Sequence, residues 1–173
     1  ITKPGPKHRP FREYEINWRT MTRLPDDMWF TYPIIASWDI ESYSHRPKAF
    51  PQKHNMYDIV FSISVTFQQH MKPETRKDYV IIIGPTEPQE GVIIYNVETE
   101  QQVIEKFFEL IQEEDPDVFI GYNIFGFDYD YLDARIKGDG KEWPNIGRLI
   151  EEKCDIKSIK WKSGAYGHNN INY

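Results

Sequence analysis

Residues 34–41 read IIASWDIE, and the alternation of apolar and polar side chains in this run constrains the fold more than any other feature of the chain. In a β-strand, successive side chains point to opposite faces of the sheet. One face of this strand would carry the apolar side chains of Ile34, Ala36, Trp38 and Ile40. The other face would carry Ile35, Ser37, Asp39 and Glu41. We therefore expect a strand over 34–41 that buries one face and presents two carboxylates on the other.

The segments that follow predict further strands. Residues 57–68, 79–85 and 91–97 are rich in β-branched and aromatic residues, the composition that suits a pleated sheet. A proline-rich polar stretch over 44–56 predicts a loop, and the charged stretch over 71–78 predicts a turn. Residues 1–32 contain four prolines and predict at most a short strand or two.

Helices are predicted after these strands. Thr99 and Gln102 form a capping-box pattern, apolar residues then recur at helical spacing, and Pro116 ends the helix. Beyond it we expect a short strand over 117–123, a second helix over 127–136 and a third short helix over 146–153, with loops over 138–145 and 161–173. Strands followed by helices predict an α/β domain with a mixed sheet and helices packed against it.

Composition excludes several classes of protein. A chain of 173 residues suits one domain with a sizeable core, and its one cysteine, Cys154, permits no intrachain disulfide, which fits a reducing compartment. No apolar run approaches the roughly 18 residues that a membrane span needs. A net charge of −6 does not favour a broad DNA-binding face, and we interpret the basic clusters at 7–12 and 157–162 as solvated surface.

Asp39 and Glu41 are two residues apart on the same predicted strand face. Like charges this close disfavour each other's ionised form unless a positive charge lies between them. Mg²⁺ and Mn²⁺ are hard cations that bind carboxylate oxygens. Acids at a strand end also occur simply because the strand is about to reach water, so the spacing alone leaves both interpretations open.

The stretch GYNIFGFDYDYL, residues 121–132, is the second group of interest. Asp128 begins the predicted helix, where the helix dipole favours a negative charge, so it could serve only as a capping carboxylate. Asn123 suits a turn, and Phe127 suits the core. Asp130 is about 200° from Asp128 around a helix and is expected to face solvent.

Taken together, the two groups resemble the first and second exonuclease motifs of family-B DNA polymerases. The first motif is WDIES, and Asp128 in GYNIFGFD follows 89 positions after Asp39. The lead-in EEDPDVFIGYN is similar to that of the family, and RLIEEKCDIKSIKWKSGAYG resembles the segment after the second motif in delta-type cellular enzymes and in those of large DNA viruses. The resemblance covers about residues 34–168.

The resemblance implies a ribonuclease H-like fold and 3′→5′ proofreading, that is, hydrolysis of the 3′-terminal phosphodiester of single-stranded or frayed DNA. It makes Asp39, Glu41 and Asp128 the catalytic ligands of two Mg²⁺ or Mn²⁺ ions, and it gives Asn123 and Phe127 a part in holding the single-stranded 3′ end. Under this hypothesis Asp39 bridges both ions, Glu41 holds the ion that activates water, and Asp128 holds the other.

The resemblance also implies partners and a location. We expect DNA, the rest of a polymerase chain and a sliding clamp or other processivity factor as partners, and no membrane. The location would be intracellular, at a site of DNA replication in a nucleus or a viral replication compartment. Residues 1–32 are expected to be the tail of the polymerase N-terminal domain, and residues 33–173 a C-terminally incomplete exonuclease domain.

One part of the family pattern is absent from the chain. The third motif, Tyr-x-x-x-Asp, is not found after residue 140, because Tyr166 has Asn170 four residues on and Tyr173 is the last residue. We therefore expect three of four metal carboxylates and weak or no nuclease activity from this chain alone. Two alternatives stay open: a stand-alone nuclease of the same fold class that acts on RNA or DNA, and a nucleic-acid-binding module whose carboxylates bind no metal.

Overall fold

The computed structural model describes residues 2–3, 13–22, 31–148, 153–156, 158–163 and 167–172. The strands and helices, in chain order, are β1 (Thr2–Lys3), β2 (Glu13–Tyr14), β3 (Ile34–Ser42), β4 (Val60–Gln69), β5 (Lys72–Ile83), β6 (Val92–Val97), α1 (Glu100–Glu114), β7 (Val118–Ile120), α2 (Asp128–Gly138), β8 (Ser158–Ser163) and β9 (Gly167–Asn172). A single turn of 3-10 helix, Trp18–Thr20, precedes β3. The basic cluster expected at 7–12 lies outside the described residues.

The centre of the fold is a five-stranded sheet in the order β6-β5-β4-β3-β7. The inner pairs β3–β4 and β4–β5 are antiparallel, and the outer pairs β5–β6 and β3–β7 are parallel. The sheet is therefore mixed, and α1 connects the parallel edge strand β6 to β7 at the opposite edge. This arrangement confirms the α/β class with a mixed sheet and flanking helices that the ribonuclease H-like resemblance implies.

The alternation along β3 is confirmed. Ala36, Trp38 and Ile40 are buried, whereas Ser37, Asp39 and Glu41 are exposed. The buried face packs against the apolar side of α1, and both belong to one core cluster. The members that α1 supplies to that core are Val103, Ile104, Phe107, Phe108, Leu110 and Ile111. The polar face of β3 is left on the other side of the sheet, where the carboxylates meet water.

The predicted capping box of α1 is also confirmed. The Thr99 side chain accepts from the Gln102 amide, and the Gln102 side chain accepts from the Thr99 amide in return. At its other end the helix stops at Asp115, which has a left-handed backbone with φ of 44° and lies just before Pro116. Neither helix in the described part of the chain is long and apolar enough to cross a membrane.

The predicted turn over 71–78 is wrong, because β5 begins at Lys72 and only the tip of the hairpin turns. Lys72 pairs with Gln69, and Lys77 pairs with Phe67, with an irregular register between them. Thr75 supports that irregular stretch by accepting the Gln69 amide at 2.9 Å. A hairpin tip that extends past the core pairs through its backbone, so charged side chains there do not prevent a strand.

The loop predicted over 161–173 is wrong in its described part, since β8 over Ser158–Ser163 and β9 over Gly167–Asn172 pair as antiparallel strands. Backbone pairing between two polar segments leaves little trace in the pattern of side chains, which explains the error. The third helix expected over 146–153 includes residues 149–152, which lie outside the described residues.

The loop between β3 and β4, residues 43–59 and hereafter the β3–β4 loop, is organised by one buried carboxylate. Asp58 is fully buried and accepts the amides of His45 at 3.1 Å and Gln52 at 2.7 Å. It also accepts from the Asn55 side chain at 3.2 Å and pairs with the His45 ring. Burial alone would raise the pKa of Asp58, but the His45 side chain and the two amides outweigh it and lower the pKa to about 2.

This carboxylate gives the protein a specific sensitivity to acid. Its pKa lies below the ordinary value of 3.8, so its contribution to stability is complete above pH 3.8 and is lost as the pH falls towards about 2. We expect Asp58→Asn to be less stable than the unmodified protein at neutral pH, and the difference in melting temperature to shrink across that window. Thermal unfolding followed by circular dichroism at several pH values measures this; an equal difference at neutral and strongly acidic pH would contradict it.

Candidate active site

The first structural feature of the site is the free edge of β3. Strand β7 ends at Ile120, which is opposite Ser37, so β7 does not pair with the second half of β3. There the amide of Ile40, which points away from β4, donates to Asp128 Oδ1 at 3.1 Å. Asp128 is the first residue of α2, so this hydrogen bond holds the start of the helix against the strand that carries Asp39.

Asp128 is buried, with only 2% of its surface exposed, and lies beside Asp39. Burial raises its pKa, the Ile40 amide opposes this, and the charge of Asp39 together with a hydrogen bond between the two carboxyl groups raises the pKa further. The simple capping interpretation does not account for this position, because Phe127 occupies the cap and makes no side-chain cap hydrogen bond. A proton or a cation between the two carboxyl groups would relieve their repulsion.

Glu41 lies on the same face of β3 as Asp39 but is exposed. Among the described residues, no group of three or more Asp, Glu, His or Cys side chains is gathered closely enough to hold a metal ion. The structure thus brings Asp39 and Asp128 together, and Glu41 lies two residues from Asp39 on the same exposed face of β3. Carboxylate oxygens are the ligands that Mg²⁺ and Mn²⁺ prefer, so the chemistry of this pair fits such an ion.

The loop between β7 and α2 determines where the helix starts. A Cβ atom on Gly121 would lie 2.6 Å from the Trp38 carbonyl oxygen, so this position needs glycine. Asn123 has a left-handed backbone with φ of 54°, and its carbonyl accepts the amides of Gly126 at 2.8 Å and Phe127 at 3.1 Å. The turn predicted here is confirmed, and it places Asp128 at the strand edge.

The remaining sequence-predicted residues lie around this loop. Asn123 is exposed, and Phe127 is half-buried. The centroid of the Phe127 ring lies 5.3 Å from the ring centroids of both Phe50 and Tyr131. Asp130, which was expected to face solvent, is instead half-buried and forms an ion pair with Lys53. Phe127 thus has the core contacts that its residue type predicts, and its role towards DNA stays a prediction.

Sequence reasoning missed a groove on the face of the sheet that carries Asp39. It has a volume of about 690 Å³, and its lining includes Ser37, Asp39, Ser64, Thr66, Arg76 and Tyr122. Tyr122 lies at the turn after Gly121 and is 93% exposed. Ser64 is the direct partner of Asp39 in the neighbouring strand. The polar positions of β4 alternate with buried ones, and that alternation is the signal that could have identified Ser64.

Comparison with known proteins identifies the family of this domain. Residues 12–173 match the model of the DNA polymerase family B exonuclease domain. The chain belongs to this family. It is 35% identical over 144 residues to a DNA polymerase of Paramecium bursaria Chlorella virus NY2A, a match that covers 79% of the chain and 16% of the relative. It is 34% identical over 134 residues to the DNA polymerase delta catalytic subunit of Glycine max, covering 77% of the chain and 12% of the relative.

A third relative extends the match over more of the chain. DNA polymerase 120R of Invertebrate iridescent virus 3 is 32% identical over 164 residues, which cover 91% of this exonuclease-domain chain and 14% of the relative. The chain therefore spans about one-sixth or less of the length of these polymerases. The resemblance to family-B polymerases of viral and delta type is confirmed.

The close approach at Gly121 predicts a selective effect of a single methyl group. Gly121→Ala should lower the free energy of unfolding by about 1–3 kcal/mol, because the new Cβ meets a backbone oxygen that cannot move alone. Gly138→Ala is the matched control: a Cβ there meets nothing within 4 Å, and replacing a helical glycine by alanine should be neutral or stabilising by up to about 1 kcal/mol. Urea denaturation of both variants measures the two changes, and equal losses would contradict the close-approach argument.

Proposed function

We propose that this domain hydrolyses the 3′-terminal phosphodiester of single-stranded or frayed DNA, as the 3′→5′ proofreading region of a replicative family-B DNA polymerase. Asp39, Glu41 and Asp128 act as its metal ligands. The observation that carries the proposal is the position of Asp128, a buried carboxylate held beside Asp39 by the Ile40 amide. The family match over residues 12–173 supports the same conclusion.

A divalent cation fits the pair of carboxylates. Burial and the neighbouring charge of Asp39 raise the pKa of Asp128, and such perturbed acids concentrate at functional sites. Asp39 and Asp128 would hold the ion between them, and Glu41 would complete the set from the same face of β3. When bound, two such ions would activate water and stabilise the leaving 3′ oxygen.

The chain's own residues set the geometry around these ligands. The Ile40 amide fixes one oxygen of Asp128, which leaves the other carboxylate oxygen available to a cation. Asn123, exposed at the turn, and Phe127, one residue before Asp128, would help hold the single-stranded 3′ end. The groove beside Asp39 gives the strand room on the open face of the sheet.

The proposed function implies the expected partners and location. The substrate is DNA, the remainder of a polymerase chain completes the enzyme, and a processivity factor would act on that larger assembly. The hydrolysis would take place where DNA is replicated, in a nucleus or a viral replication compartment. The division between an N-terminal segment, 1–32, and an exonuclease domain, 33–173, also stays a prediction.

Metal binding tests the ligand assignment directly. We expect Asp39→Asn and Asp128→Asn each to weaken Mn²⁺ binding about tenfold or more, since each removes a charged ligand. Asp130→Asn is the control, because it removes the same charge from α2 at a residue paired with Lys53 and facing away from the site. Isothermal titration calorimetry measures all three; unchanged Mn²⁺ affinity in the Asp39 and Asp128 variants would refute the assignment.

Activity tests the completeness of the site. The chain supplies three of the four metal carboxylates in the family pattern, so we expect it alone to digest a 5′-labelled single-stranded oligonucleotide slowly or not at all with Mg²⁺ or Mn²⁺. Denaturing gel electrophoresis over time measures the digestion. Robust digestion that Asp39→Ala abolishes would show that the expectation of weak activity is wrong while supporting the nuclease function.

A further inference from the structure

The β3–β4 loop differs from the rest of the chain in charge. Residues 43–59 contain the cations Arg46, Lys48 and Lys53, and their only acid is the buried Asp58, whereas the whole chain has a net charge of −6. The loop packs against the start of α2, through Phe50 against Phe127 and through an ion pair of Lys53 with Asp130, so it lies beside Asp128. Lys53 is paired with Asp130, so Arg46 and Lys48 are the loop cations that would attract the phosphates of a nucleic-acid strand.

The loop is held in one shape by hydrogen bonds to its own backbone. Asp58 accepts the amides of His45 and Gln52, and further turns close when the amides of Ala49 and Asn55 donate to Arg46 and Gln52 carbonyls. These bonds define the shape of the loop, but they do not determine where it lies relative to the carboxylates.

Helix α2 supplies the contacts that locate the loop. Tyr131 Oη donates to the Asp58 carbonyl at 2.8 Å, and Arg135 Nη1 donates to the Asn55 carbonyl at 2.9 Å. Lys53 pairs with Asp130, and the Phe50 ring packs against Phe127. The same helix begins with Asp128, so one rigid element contributes to the carboxylate site and also contacts the loop.

Arg135 is the most connected of these contacts. Its Nε donates to Glu100 Oε1 at 2.8 Å and its Nη2 to Glu100 Oε2 at 2.6 Å, and its side chain is only 13% exposed. Glu100 Oε1 also accepts the Val60 amide at 2.8 Å, where the loop ends and β4 begins. The guanidinium therefore joins α2, the start of α1 and the loop through a planar fork that lysine cannot reproduce.

We infer that Arg135 is a positioning residue for DNA: by fixing the β3–β4 loop against α2, it holds the loop cations where a single strand reaches the Asp39–Asp128 pair. This inference rests on the proposed function, because it assumes that single-stranded DNA binds at this site. Arg135 itself is turned towards Glu100 and the loop backbone, so it would act on DNA only through the loop.

The test compares two arginine-to-lysine variants of the chain. Arg135→Lys keeps the positive charge but removes the paired hydrogen bonds to Glu100. Arg148→Lys is the control, because Arg148 makes a similar set of hydrogen bonds with Asp115 and Asp117 away from the loop. Three quantities are measured for each: hydrogen exchange of the loop amides, Mn²⁺ affinity by calorimetry, and affinity for a fluorescent single-stranded oligonucleotide by anisotropy without metal. Glu100→Gln, which weakens the same fork from the other side, replaces Arg135→Lys if that variant does not fold.

For Arg135→Lys we expect loop amides such as Gln52 to exchange about tenfold faster and oligonucleotide affinity to fall about fivefold, with Mn²⁺ affinity within about twofold of the unmodified protein. Arg148→Lys should change none of the three. Unchanged loop exchange, or faster exchange with unchanged oligonucleotide affinity, would overturn the inference alone. An unmodified protein that binds neither Mn²⁺ nor the oligonucleotide would overturn the proposed function and the inference with it.

Discussion

The hydrogen bond from the Ile40 amide to Asp128 is the interaction on which the candidate site depends. It joins the first residue of α2 to β3 beyond the end of β7, and it gives a buried carboxylate a backbone donor from the strand. Burying a charged group is costly unless donors or a cation compensate. The backbone donors compensate only in part, and the neighbouring charge of Asp39 adds to the cost, so the pKa of Asp128 is raised.

The short connection after β7 is what makes this hydrogen bond geometrically possible. Strand β7 pairs with β3 only as far as Ser37, and the chain then crosses the Trp38 carbonyl at Gly121, where a larger residue would clash. The left-handed backbone of Asn123 turns the chain back within a few residues. Asp128 consequently reaches the strand only two residues beyond the Trp38 carbonyl, beside Asp39.

The sequence predicted those parts of the fold that depend on local periodicity. The alternation in β3 and the capping box of α1 require only neighbouring residues, and both are confirmed. The pairing of Lys72–Lys77 with β4 and the hairpin of β8 and β9 depend on backbone partners rather than side-chain pattern, so charge misled the prediction. Asp58 was missed because its donors come from a loop whose conformation no periodicity encodes.

The candidate site was predicted only in part, because local spacing determines some of its geometry and long-range contacts determine the rest. Spacing placed Asp39 and Glu41 on one face, but the proximity of Asp39 to Asp128 depends on a long-range contact across 89 positions, which only the family resemblance indicated. That same resemblance grouped Glu41 with the pair. In the structure Glu41 is exposed on the same face of β3 as Asp39, which is also exposed.

Helix α2 connects these observations, because one of its faces serves both the carboxylate site and the adjacent loop. Asp128, Tyr131 and Arg135 are spaced three and four residues apart, so they lie along the same side of the helix. The first holds the strand edge, and the other two hold the backbone of the β3–β4 loop. A shift of α2 along or around its axis would therefore displace the buried carboxylate and the basic loop together. The relative position of Asp128 and the β3–β4 loop is thus set by one rigid helix rather than by two independent loops.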